Sequence, residues 1–143
     1  MKKLWLAIAA STVIVAGCNA TNKEPEVPEI VEVEILTPME APLAPLKLEA
    51  RVTQGGKDLE DAHVQFEFWQ SGMRDDAYML DGEYQGEGVY EVEVTPEEDG
   101  VYYMFAHTTA SGMHVMPKQE LIIGNPNMDE VIKEGPNENN DMR

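Results

Sequence analysis

Apolar and polar residues alternate with a period of two through the middle of the chain, and no apolar stripe at i, i+3, i+4 and i+7 persists for three turns. Successive strand residues face opposite sides of a sheet, so this pattern predicts half-buried β-strands. Val31, Val33 and Ile35 alternate with Glu32 and Glu34. After a proline-rich break at residues 38–45, Leu46, Leu48, Ala50 and Val52 alternate with Lys47, Glu49 and Arg51, and Gln54-Gly-Gly-Lys57 turns the chain. Val64, Phe66 and Phe68 alternate with Gln65 and Glu67; Trp69 closes that strand, and a polar excursion follows at residues 71–76. A weaker strand at residues 78–80 ends at Asp81-Gly82, and Tyr90, Val92 and Val94 alternate with Glu91 and Glu93 until Pro96. Residues 99–117 read as two further strands joined by a tight turn.

About seven short strands with frequent turns predict an all-β fold, an immunoglobulin-like antiparallel β-sandwich. Asp99, Val101, Tyr103 and Phe105 have the spacing of the corner in which a tyrosine near the start of a late strand bonds back to upstream backbone. On this reading Val101, Tyr103 and Phe105 point inward. Tyr103 is the corner tyrosine, and Phe105 is a core plug where a disulfide cysteine would stand.

The ends differ from this middle. Lys2 and Lys3 precede an apolar run at residues 4–16, and Val15-Ala16-Gly17-Cys18 follows, the order of a secretory signal. The run is short for a bilayer span, and small residues before a cysteine resemble the lipobox of bacterial lipoproteins. Residues 1–17 are thus expected to be a lipoprotein signal peptide. Cys18 is the expected lipidated anchor, carrying palmitate or a similar acyl chain on the extracytoplasmic face of the cell membrane. Residues 18–30 read as an acidic tether, 31–124 as the sandwich, and 125–143 as a disordered acidic tail with at most one helical turn near residues 129–133.

Charge narrows the partners. With 27 acidic and 10 basic residues the net charge is −17, which opposes nucleic acid and favours cationic partners. The single cysteine excludes an internal disulfide and any CxxC site. Catalysis finds no support: Ser111, His114 and Asp99 supply the residue types of a triad, yet no Gly-x-Ser-x-Gly elbow is present. The acidic pairs lie in turns, and none has EF-hand spacing. The chain is not expected to be an enzyme.

The hairpin holds the remaining chemistry. Imidazole and thioether ligands suit Cu(I), a soft ion, and do not oxidise to disulfides outside the cytoplasm. His114 and Met116, two apart on a strand, share a face about 6.7 Å apart at Cα. If Ala110 and Ser111 form a two-residue turn, His107 sits opposite His114 and both share a face with Met116. If Ala110, Ser111 and Gly112 form a three-residue turn, His114 pairs with Thr108 and Met116 with Ala106, and Met104 joins His114 and Met116 on an outer face. The second register is favoured because it agrees with Val101, Tyr103 and Phe105 inside and Lys118 and Glu120 outside, which leaves His107 on the core side. A structural reading stands beside the metal one, with methionines filling gaps in a small core and histidines bonding backbone.

Between residues 46 and 124 the chain resembles the YtkA-like family, grouped with FixH proteins and common in lipoproteins of Bacillus and its relatives. The resemblance lies in the turn Val52-Thr-Gln-Gly-Gly-Lys57, Phe66-Glu-Phe-Trp69, Gly88-Val-Tyr90, Asp99-Gly-Val-Tyr-Tyr103 and above all Gly112-Met-His-Val-Met-Pro117. It implies an immunoglobulin-like sandwich without a settled activity. The FixH association implies a link to assembly of a copper-containing cytochrome oxidase, with an oxidase subunit as partner. His114-Val-Met116 is similar to the His-x-Met pair of secreted copper chaperones. The expectation is a membrane-anchored lipoprotein that binds or delivers Cu(I) through His114 and Met116 with Met104 or His107. The alternative is a non-metal protein-interaction module of the cell envelope, docking an envelope protein through the sheet or residues 70–87.

Overall fold

The computed structural model describes residues 25–132. The signal segment, Cys18, the start of the tether and the tail beyond residue 132 lie outside the described residues.

Each alternating stretch forms a strand: β1 (Val31–Ile35), β2 (Glu40–Ala41), β3 (Leu46–Gln54), β4 (Lys57–Asp58), β5 (His63–Gln70), β6 (Tyr78–Asp81), β7 (Glu83–Gly86), β8 (Val89–Val94), β9 (Gly100–Ala110), β10 (Met113–Val115) and β11 (Lys118–Ile123). These eleven among the described residues exceed the expected seven because β2 and β4 carry too few residues for a period-two signal and β7, Glu83-Tyr-Gln-Gly86, has a single large apolar position. The hairpin's second strand also divides at Pro117, which has no N–H to give to a ladder.

Two sheets result, one ordered β1-β3-β8-β7 with β4 against β3, the other β2-β11-β9-β5-β6 with β10 against β9. All described pairings are antiparallel except β2 with β11. The sheets reproduce the ABED and CFG order of immunoglobulin domains, with β6 added beside the second sheet. The chain crosses from the first sheet to the second between β1 and β2. There the buried Thr37 hydroxyl accepts from Glu49 N–H at 2.8 Å, and the Thr37 carbonyl accepts from Gln119 Nε2 at 2.6 Å. Leu48, Ala50, Val52, Val64, Phe66, Phe68, Tyr90, Leu121 and Ile123 fill the space between the sheets.

The central strand, β9, is buried on both faces from Gly100 to Ala106, and here the expected orientation is inverted. Tyr102, Met104 and Ala106 lie in the sandwich core, whereas Val101, Tyr103 and Phe105 join Trp69 in a second cluster on the outer face of the sheet. The corner tyrosine is accordingly Tyr102, whose hydroxyl donates to Glu98 O at 2.8 Å; that of Tyr103 reaches Glu120 Oε2. A run apolar at every position carries no period-two signal, so only the neighbours covering each face decide which way it points.

The hairpin adopts neither expected register. Ser111 (φ 51°) and Gly112 (φ 72°) form a two-residue turn, which pairs Met113 with Ala110, His114 with Thr109 and Val115 with Thr108. Left-handed backbone at both central residues is the signature of a type I′ turn, whose twist matches that of the flanking strands. Of the segment after β11, Val131 packs against the outer cluster, and Ser71 Oγ donates to Ile132 O.

Candidate functional site

The outer face of β9 and its neighbours collects the chain's three histidines. β5 pairs His63 with Thr109, Gln65 with His107 and Glu67 with Phe105, so alternate residues of β5 and β9 present one continuous surface. On the other side of β9, His114 stands against Thr109. Because Val115 pairs with Thr108 and Lys118 with Phe105, Met116 falls opposite His107. His107, His114 and Met116 therefore share one face.

Met104 does not belong with them. It points into the sandwich core and is 0% exposed, so of the four expected residues the fold brings His107, His114 and Met116 to one face and leaves Met104 apart from them. The inversion of β9 exchanges the two residues: it sends Met104 inward and brings His107 out.

The two imidazoles stack with centroids 5.8 Å apart. His107 is half-buried, and its Nε2 lies 2.8 Å from Glu67 Oε2. A carboxylate only accepts, so His107 donates from Nε2, and in the neutral ring Nδ1 then carries the lone pair. His114 is exposed, and its Nδ1 lies 3.0 Å from Thr109 Oγ1. Each ring is thus held through one nitrogen, and no described residue occupies His107 Nδ1 or His114 Nε2. Anchoring one nitrogen of a histidine is the usual means of orienting the other toward a ligand. His63 stands farther along the same face, with Nε2 3.5 Å from Asp81 Oδ1.

Glu67 ties this site to the aromatic cluster. Its other oxygen, Oε1, accepts from Arg74 Nε at 3.3 Å, and the Arg74 guanidinium lies over Trp69 at 5.0 Å and Phe105 at 5.3 Å. Lys118 covers Tyr103 at 4.7 Å and also faces Trp69 and Phe105. Phe105 in turn touches His107, at a centroid distance of 5.3 Å, and Met116 packs against the same cluster. The histidine pair is therefore one end of a row of packed rings on a rigid sheet. Sequence reasoning left Glu67 and Trp69 as a solvent-facing residue and a strand end. Their i, i+2 spacing on β5 placed them on one face, but the partner across the ladder was unknown.

Among the described residues no three His, Cys, Asp or Glu side chains converge as a metal site. The Met116 thioether is on the same face as the two imidazoles, and nitrogen with thioether sulfur is a donor set that suits a soft ion better than a hard one.

The family model described as YtkA-like matches residues 12–107. The matched span includes His107 and ends before His114 and Met116, so it does not extend to the run at residues 112–117 on which the sequence resemblance leaned most. Among solved structures, an engineered protein is 23% identical with a TM-score of 0.56 over 69% of this chain, a likeness of fold; the chain spans only 21% of that protein's length. A putative glycoside hydrolase from Bacteroides vulgatus is 18% identical, with a TM-score of 0.44 over 65% of this chain and 17% of its own. The superoxide reductase (neelaredoxin) from Ignicoccus hospitalis is 13% identical, with a TM-score of 0.45 over 64% of this chain and 79% of its own. No curated protein matches the chain.

Proposed function

The chain belongs to the YtkA-like family, and we propose that it is an extracytoplasmic lipoprotein, anchored through Cys18, that binds or delivers Cu(I) at His107, His114 and Met116. One observation carries the metal reading: two imidazoles, each held through one ring nitrogen, stand 5.8 Å apart on the face that also bears Met116. His107 Nδ1, His114 Nε2 and the Met116 sulfur are the donors. The ring stacking must open by a side-chain rotation for both nitrogens to meet one ion, and the exposure of His114 on a three-residue strand leaves room for it. Bound copper would supply electron-transfer or transfer-to-partner chemistry. The protein's share is to orient the two rings and to keep the thioether against an apolar wall. Delivery to a membrane oxidase subunit fits a site carried on a lipid-anchored domain.

Titration with Cu(I) against a chromophoric chelator tests the site. Wild type is expected to withdraw copper from the chelator, and His107→Ala, His114→Ala and Met116→Ala each to weaken this by about tenfold or more, as loss of one ligand or its orienting partner does. Equal competition by wild type and the His114→Ala, Met116→Ala double variant overturns the copper reading. Labelled palmitate incorporated by wild type but not by Cys18→Ser is the corresponding result for the anchor.

A further inference from the structure

A cleft lies away from the histidine site, where the sandwich is open along one side. Glu83, the first residue of β7, pairs with Glu91, so residues 92–94 of β8 have a ladder neighbour only in β3. A cavity of about 360 Å3 fills the gap. Phe68, Leu80, Val94 and Tyr102 form its apolar floor. Asp76, Glu93, Glu97 and Glu98 stand at its rim, all exposed and none in a salt bridge among the described residues. No lysine or arginine among the described residues lines it.

Among the described residues, the strand beside this cleft has an open edge. β6 is the terminal strand of its sheet. Gly82 N–H donates to Val64 O at 2.8 Å, which makes the pairs of Val64 with Gly82, Phe66 with Leu80 and Phe68 with Tyr78 the hydrogen-bonded ones. Met79 and Asp81 then turn their backbone N–H and C=O groups to the free edge. Met79 is 52% exposed and Tyr78 62% exposed, large apolar surface for an edge strand. Of the usual protections for such an edge, β6 has a short length and one terminal acid, and it lacks proline and lysine.

We propose that β6 and the cleft bind an extended segment of a partner protein, an apolar stretch flanked by lysine or arginine, by strand addition. Backbone groups of the segment pair with Met79 and Asp81. Alternate side chains of the added strand descend onto Phe68, Leu80 and Tyr102, and the flanking cations meet the rim carboxylates. Charge complementarity selects this occupant over a second copy of the chain, whose net charge of −17 opposes self-association. The proposal does not rest on the copper reading, since no residue is shared between the two sites.

The probe is a fluorescein-labelled peptide, Lys-Lys-Val-Thr-Val-Thr-Val-Lys-Lys, titrated with the full chain and followed by anisotropy. Wild type is expected to bind it and to ignore a counterpart whose lysines are replaced by glutamate. Met79→Pro removes an edge N–H without breaking the ladder to β5, and the exposed double variant Glu97→Lys, Glu98→Lys reverses the rim; each should weaken binding by about tenfold or more, with the near-UV circular dichroism of wild type retained. The double variant carries the test alone if Met79→Pro fails to fold. His114→Ala should bind as wild type does. Absent binding, equal binding of the two peptides, wild-type affinity in the double variant, or a dimer in sedimentation that Met79→Pro dissociates each overturns the proposal.

Discussion

At the scale of single residues, one parity decides most of the chemistry. Tyr102 and Tyr103 are adjacent and equally aromatic, yet Tyr102 stacks on Phe68 within the sandwich while Tyr103 stacks on Trp69 outside it. Burial, only partly offset by the bond to Glu98 O, raises the Tyr102 phenol above its ordinary value. The inward hydroxyl is the one held by backbone, so Tyr102→Phe is expected to cost about 1 kcal/mol in urea unfolding, and Tyr103→Phe less than half of that. Comparable losses for the two variants would contradict the corner assignment. The same parity makes Met104 a core side chain and leaves His107 as the residue that completes the histidine face.

At the scale of elements, the hairpin shows how a turn sets a site. Shifting the β9–β10 register by one residue moves every side chain of β10 to the other face, so the positions of His114 and Met116 depend on the Ser111-Gly112 turn. A Cβ added at Gly112 meets nothing within 4 Å, so the cost of Gly112→Ala is that of the left-handed backbone alone. Thermal or urea unfolding should show a loss of about 1 kcal/mol, accompanied by weaker competition for Cu(I) than wild type. Unchanged stability would mean that the turn does not hold the register. The strands themselves were legible in the sequence wherever one face is wet, as in β3, β5 and β8, because water enforces alternation there. β9 was legible as a strand and not as an orientation, since Trp69, Arg74 and Lys118 cover the face that would otherwise be polar.

At the scale of the whole molecule, excess negative charge meets the fold on the surface of the first sheet. Glu49 and Glu91 stand directly opposite each other on β3 and β8, with Lys47 3.4 Å from Glu91 as partial compensation. Burial first, then the hydrogen bond and repulsion from Glu91, raises the Glu49 carboxyl above 4.5. The native state therefore holds this proton more tightly than the unfolded chain. The contribution of the pair to stability is present below about pH 4.5 and declines as pH rises through the raised native value. Glu49→Gln should accordingly be more stable than wild type at pH 7, by about 0.5 kcal/mol, with the difference shrinking toward pH 4. A constant difference across that range would place its origin elsewhere.

Local pattern is enough to make this an all-β sandwich chain and to put His107, His114 and Met116 in a single hairpin region. Those features follow from local alternation, turn residues and composition, which act over a few residues at a time. Which face of β9 is the inside, which tyrosine closes the corner, and which methionine keeps company with the histidines come from the packing of the two sheets. A strand wrapped on both sides has no intrinsic inside: its orientation is set by what covers each face, here Leu48, Ala50, Val52 and Tyr90 of the facing sheet on one side and the Trp69 ring of its own sheet on the other. Those neighbours are distant in sequence, and local pattern holds no record of them.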